Sequence, residues 1–478
     1  MRRKKVCAAF LAFVLLLCGC DKTESLPESG PASSSSQTAE SSEPAEAVKK
    51  EKAPPFEDDL YMPNYAPPKE ETAVNAGNIT GAPGDESSAL IPSVFITCGE
   101  EIGRNTYSEC TVQIDASMTE SYTGTNPLEA KIRGRGHSTW EWPKKPYKIK
   151  LEEKAAILGM NPSKEWALIA NYADESLMRN LVAFDMAQAI GTFTFTPKAV
   201  PVNVYLNGVY QGVYTIGEQI EAKESRLKLD YREDTPKTGY LLEIGGADHD
   251  TDLRGLQYFD LPSGCAADIA IKAPKDEKLT QENYDYIYKY MCLADEAITT
   301  LDGYETYIDV DSFIDWFLLH ELTYNLDSCF HRSCFITKDR GGKLKMGPVW
   351  DFDLAFGNMY MDNPDYDDWA TVGNSNSTSY IGVNWYNYLM ADPSFRERAR
   401  VRWDEIKDKL LAAGQDSIDG WQKLIAPSAE LNFTVWNTLG SASGYQPPCM
   451  KNYSTYNEQV AYLRRFLTKR AEWIDNNL

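Results

Sequence analysis

The chain has 478 residues, 43% of them hydrophobic and 12% aromatic, enough apolar material for a large core in two or three domains or one large two-part unit. Its formal net charge of -22, from 70 acidic and 48 basic residues, excludes a general nucleic-acid binder, because such proteins neutralise phosphates with clustered Lys and Arg. A phosphate-bearing ligand would have to meet a local basic patch.

The opening "MRRKKVCAAFLAFVLLLCGC" has a basic start, a short apolar run and a small residue before a cysteine. That is the order of an export signal over residues 1–20, and its ending resembles a bacterial lipobox in which Cys20 carries a lipid. The expectation is an extracytoplasmic protein whose membrane contact is this anchor; an uncleaved membrane helix is the alternative. Residues 21–90, rich in Ser, Pro, Glu and Ala, read as a tether with too few apolar side chains to fold. No repeat of fixed period occurs in residues 91–478, which are taken as one globular unit. Beyond the leader stand Cys98, Cys110, Cys265, Cys292, Cys329, Cys334 and Cys449, an odd number without zinc spacing. They read as buried free thiols, with a Cys98–Cys110 bridge as the alternative. Heptads that would bind a partner helix are missing, and the oligomeric state stays open.

In chain order, "SVFITC", "CTVQIDA" and the alternating "PYKIKLEE" read as strands. "ADESLMRNLVAFDMAQAIG" has Leu177, Leu181, Phe184, Met186 and Ala187 near helical spacing, with Gly191 as a stop. "VPVNVYLNGVYQGVYTIGEQI" predicts a hairpin turning at Asn207-Gly208. From about residue 280 the apolar spacing becomes helical, as in "NYDYIYKYMCLADEAI", "DSFIDWFLLHELTYN" and "YNEQVAYLRRFLTKRAEWIDNNL". The fold class is α+β, sheet-rich first and mainly helical later.

Three stretches carry candidate chemistry. In "KMGPVWDFDLAFGN" Asp351 and Asp353 are two positions apart in an apolar frame, and on a strand they would share one face. Two carboxylates about 6 Å apart repel by roughly 3 kcal/mol at an effective dielectric near 20, and a divalent cation offsets that. In "HELTYNLDSCFHRSCF" Asp327 precedes a hairpin expected to turn at Gly341-Gly342, so the three aspartates can converge; a turn cap is the plainer role for Asp327. In "KIRGRGHSTWEWPKKPYKIKL" a Gly- and hydroxyl-rich turn with Ser138 lies among Arg133, Arg135, Lys144, Lys145, Lys148 and Lys150, the basic patch that the acidic balance requires. It is not a Walker loop, and alone it reads as a basic turn. Asp174 and Glu175, near the start of the following helix, are candidate partners for a strand lysine, and Glu218 ends the hairpin where two lobes would join.

With "RGRGHSTW", "KKPYKIKL", "EWALIANYADESLMRN", "VYLNGVYQGVYTIGEQI", "ELTYNLD" and "GPVWDFDLAFGN" in this order, the chain resembles the spore coat protein H family, the CotH-like atypical protein kinases. That resemblance implies a two-lobed kinase-like fold, split near residues 91–220 and 221–478, and transfer of the ATP γ-phosphoryl group to protein Ser/Thr hydroxyls with Mg2+. By it Asp327 is the catalytic aspartate, and Asp351 with Asp353 the metal site. Lys148, or second Lys150, holds the ATP phosphates; Arg133, Arg135 and Ser138 belong to the loop over them, and Glu218 to the hinge. One position departs: an asparagine is expected about five residues after Asp327, and this chain has Arg332, which cannot ligate magnesium. A second reading, from a different class, is a kinase-fold scaffold for cell-surface or spore coat assembly. A metal-dependent phosphoesterase is disfavoured by a total of four histidines.

Overall fold

A computed structural model describes residues 89–136, 138–245, 258–359, 368–373, 382–442 and 445–478. The leader with Cys20, most of the tether and His137 lie outside the described residues. Ala89 and Ile91, among the first described residues, are buried.

Seven strands close a barrel: β1 (Ser93–Cys98), β2 (Ser108–Asp115), β3 (Leu128–Gly134), β4 (Tyr147–Ala155), β5 (Ser163–Ile169), β6 (Ala199–Leu206) and β7 (Val209–Glu218). The order round the barrel is β1-β2-β3-β4-β5-β7-β6. All neighbours run antiparallel except β1 and β6, whose parallel pairing of Ser93–Ile96 with Asn203–Leu206 closes it. Alternation follows from the pleat: Val94, Ile96, Val112, Ile114, Ile132 and Ile149 fill the interior, while Lys148 and Lys150 face out. The β6–β7 hairpin turns where expected, with Asn207 at φ 51° and Gly208 at φ 78°, the left-handed pair of a two-residue hairpin turn. Cys98 and Cys110 lie directly opposite each other on β1 and β2 as free thiols.

Between β5 and β6 runs the helix α2 (Arg179–Ile190), closed by Gly191 in the left-handed conformation, φ 78°. Asp174 and Glu175 precede it rather than starting it. A second, antiparallel sheet has the order β12-β11-β8-β10-β9, from β8 (Tyr240–Ile244), β9 (Tyr258–Phe259), β10 (Ile269–Ala273), β11 (Cys334–Lys338) and β12 (Leu344–Met346). This sheet lies within the part expected to be mainly helical.

The helices of that part are α3 (Gln281–Thr300), α4 (Val310–Thr323), α5 (Trp385–Leu389), the 43-residue α6 (Pro393–Val435) and α7 (Tyr456–Asn477); a single turn, α1 (Ser138–Glu141), follows β3. Every residue of α4 but Asp311 is buried, the signature of a helix inside the core. Its Glu321 receives the Arg470 guanidinium of α7 at 2.7 Å, with both side chains fully buried, and accepts the backbone N–H groups of Ala370 and Thr371. α2 packs mainly on α6 and also meets α4. Among the described residues no helix is long and apolar enough to cross a membrane.

Candidate functional site

The end of α4 and the β11–β12 hairpin bring the candidate acids to one place. After Tyr324, left-handed at φ 50°, the chain turns through Asn325 to Asp327. The Asn325 amide then donates to the Asp351 carbonyl at 3.0 Å and the Ser328 hydroxyl to the same carbonyl at 2.9 Å. Residues 349–353 are therefore not a strand, as their pattern suggested. Asp351 sits at φ 67°, a left-handed conformation that these side chains hold in place. Phe352 N–H donates to Asn180 Oδ1 at 2.7 Å, and Asn358 Nδ2 bridges the carbonyls of Asp353 (2.8 Å) and Ala173 (2.6 Å). The backbone carrying the two acids is thus fixed by amides from α2, the end of α4 and its own turn.

The Ser333 hydroxyl donates to Asp351 Oδ2 at 2.9 Å. Asp353 is buried; burial first, then the charges of Asp351, Asp327 and Asp174, push its carboxyl well above the usual range, and it contacts the Asp351 carboxyl directly. A carboxyl buried beside other carboxylates favours its protonated form unless a cation is present. The donors here are all oxygen, which suits a hard divalent ion. Among the described residues no group of three or more His, Cys, Asp or Glu is arranged to hold a metal ion by itself.

These acids line a cleft of about 870 Å³, together with Arg135, Ser138, Lys148 and Arg332. The Arg135 guanidinium lies 5.6 Å from the Trp350 ring centre; burial lowers its pKa, and Asp351 and Asp353 oppose that. Lys148 Nζ meets Glu165 Oε2 at 2.6 Å, an ion pair from β4 to the adjacent strand β5. The lysine's partner is thus a strand acid, not the helix acid that the sequence suggested. Asp174 instead pairs with Arg179 at 2.5 Å, and Glu175 takes the Gln446 amide while burial lifts its carboxyl to about 7.

Other candidates sit elsewhere. Lys150 is exposed and Arg133 donates to the carbonyls of Arg104 (3.1 Å) and Gly134 (3.2 Å); neither is among the cleft-lining residues. Lys144 is buried, donating to the Val213 carbonyl at 2.6 Å and Asn432 Oδ1 at 2.8 Å, and Lys145 caps the Trp140 carbonyl at 2.5 Å. Glu218 is turned into the core, where Arg226 Nη1 meets it at 2.8 Å, and it does not line the cleft; Gln219 and Glu221 just beyond it do. Sequence reasoning passed over Glu165, although a charge at the start of the apolar "EWALIA" was a signal. It also passed over Glu221, which contacts Glu165 and is paired with Lys223 at 2.7 Å.

The family model described as CotH kinase protein matches residues 132–474. The inner spore coat protein H of Bacillus subtilis (strain 168) is 24% identical over 287 residues, covering 59% of this chain and 71% of that protein. The matched region runs from β3 to the last helix and takes in Asp327, Asp351, Asp353, Lys148 and Glu165. The chain belongs to the CotH kinase protein family.

Proposed function

We propose that the cleft is the active site of a two-lobed, kinase-like enzyme that binds ATP with Mg2+ and transfers the γ-phosphoryl group to Ser/Thr hydroxyls of spore coat or cell-envelope proteins. The observation that carries this reading is the convergence of Asp327, Asp351 and Asp353 from two separate segments in a cleft that also holds the Lys148–Glu165 pair and Arg135. Family membership and a relative named for the inner spore coat support the substrate class and an extracytoplasmic address; the Cys20 lipid anchor is part of the same proposal.

In this reading Asp351 and Asp353 would hold the ion, which would supply charge neutralisation to the phosphates. Lys148, oriented by Glu165, meets phosphate oxygens, and Arg135 with Ser138 covers them. Asp327 orients the acceptor hydroxyl and receives its proton as the new O–P bond forms and the bond to ADP breaks. Most of the catalysis is positioning and charge stabilisation.

A thermal melt of the purified protein tests the reading, since a ligand of the native state raises Tm by mass action. The expected rise needs ATP and Mg2+ together, disappears in Asp351→Ala, and persists in Asp327→Ala, which no longer transfers phosphate. No rise at millimolar ATP, or transfer retained in Asp327→Ala, refutes it.

A further inference from the structure

The cations lining the cleft are not equivalent. Lys148 is paired with Glu165 (2.6 Å), Lys223 with Glu221 (2.7 Å), Lys228 with Glu224 (2.6 Å), Lys272 with Glu243 (2.9 Å) and Lys278 with Glu233 (2.7 Å). Arg135, Lys275 and Arg332 also line the cleft and enter no ion pair among the described residues; Arg332 is the exposed one that stands on the segment running from Asp327 to Ser333. Its positive charge is left available in the cleft that Asp327, Asp351 and Asp353 also line.

The backbone that presents it is held from two sides. Phe330 (φ 48°) and Ser333 (φ 49°) bracket it in the left-handed region, which residues with a Cβ adopt at a cost. Gly245, at the end of β8 with φ 67°, lies so close to this loop that a Cβ there would strike the His331 carbonyl and come within 3.1 Å of the Arg332 Cα. On the other side the Ser333 hydroxyl is bonded to Asp351 Oδ2 at 2.9 Å. Arg332 therefore stands in a clamped loop between Asp327, which begins the segment, and the Asp351 carboxylate to which its neighbour is tied.

We propose that Arg332 is a further catalytic residue, whose guanidinium holds the phosphoryl group during its transfer between nucleotide and acceptor. This rests on the nucleotide reading above. The planar guanidinium forms paired hydrogen bonds to phosphate oxygens, and no carboxylate among the described residues is ion-paired with it. In phosphoryl transfer such an arginine stabilises charge that develops on the equatorial oxygens, and its loss lowers the rate by about 10³-fold or more.

The test compares wild type, Arg332→Ala and Arg332→Lys by calorimetric titration with Mg2+ and either ADP or the non-hydrolysable β,γ-imido ATP analogue, and by transfer to dephosphorylated casein. Arg332→Ala is expected to weaken the analogue by roughly tenfold or more, the loss of one charge-assisted contact, and to leave ADP within about twofold. Transfer should fall by about 10³-fold, with Arg332→Lys between the two. Equal weakening of ADP and analogue, no weakening of either, or a rise confined to the KM for casein overturns the assignment to the transferred group. A wild type that binds neither nucleotide overturns it together with the kinase reading, whereas nucleotide binding indifferent to residue 332 overturns it alone. An unchanged Tm of the free Arg332→Ala protein, expected for an exposed side chain, separates these results from a folding defect.

Discussion

Replacing Lys148 by methionine keeps the apolar stem and removes the charge that meets Glu165. Burial alone would raise the Glu165 carboxyl; the hydrogen bond and charge of Lys148, with smaller help from the Glu221 hydrogen bond and the Lys223 charge, reverse this and bring it from 4.5 to about 2. A depression of that size corresponds to about 3 kcal/mol of stability, of which Lys148 supplies the larger part, and with side chains only 19% and 14% exposed, solvent screening removes little of it. The folded pKa is below the unfolded one, so this contribution is fully present above about pH 4.5 and is lost as pH falls towards 2. In Lys148→Met, Glu165 is left buried against Glu221 and takes up a proton far more readily. Urea unfolding at pH 7, 5 and 3 should show the variant about 2–3 kcal/mol less stable at pH 7, with the gap roughly halved at pH 3. The double variant Lys148→Met/Glu165→Gln should recover much of the loss, because no unpaired buried charge remains. A gap under about 1 kcal/mol at pH 7, or one that stays constant down to pH 3, would refute the reasoning.

Arg470→Met should cost about 3–5 kcal/mol in urea unfolding, since it strands the fully buried Glu321 carboxylate; a loss under about 1 kcal/mol would mean that Glu321 is neutral in the folded state. Gly357→Ala, at φ 71° with the Tyr462 hydroxyl and Phe466 ring against the position of its Cβ, should lose about 1–3 kcal/mol. Because the Tyr462 hydroxyl also donates to the Gly357 carbonyl at 2.9 Å, the turn that carries Asp353 should loosen. The expected sign in calorimetry is weaker Mg2+-nucleotide binding in this variant, and unaltered affinity would separate the turn from the site.

What could be read from residue order alone was local. Asn207-Gly208 specified the β6–β7 hairpin because only residues tolerant of positive φ close a two-residue turn, and Gly191 ended α2 for the same reason. The periodicity of α3, α4 and α7 was equally legible, since each buries a stripe or, for α4, all sides. That Asp327, Asp351 and Asp353 would meet followed from a helix end and a hairpin whose lengths are set locally. The conformation at Asp351 did not, because amides of Asn325, Asn180 and Asn358, donated or accepted across the chain, override the extended pattern of "VWDFDL". Tertiary structure likewise decided the parallel closure of β1 on β6, the packing of α2 on α6, and the choice of Glu165 over Asp174 or Glu175 as the partner of Lys148. Sequence by itself determined which acids and bases were available and which short elements would carry them. Their pairing was left to the fold, since a carboxylate finds its partner by distance and burial, and both are set by contacts between residues far apart in the chain.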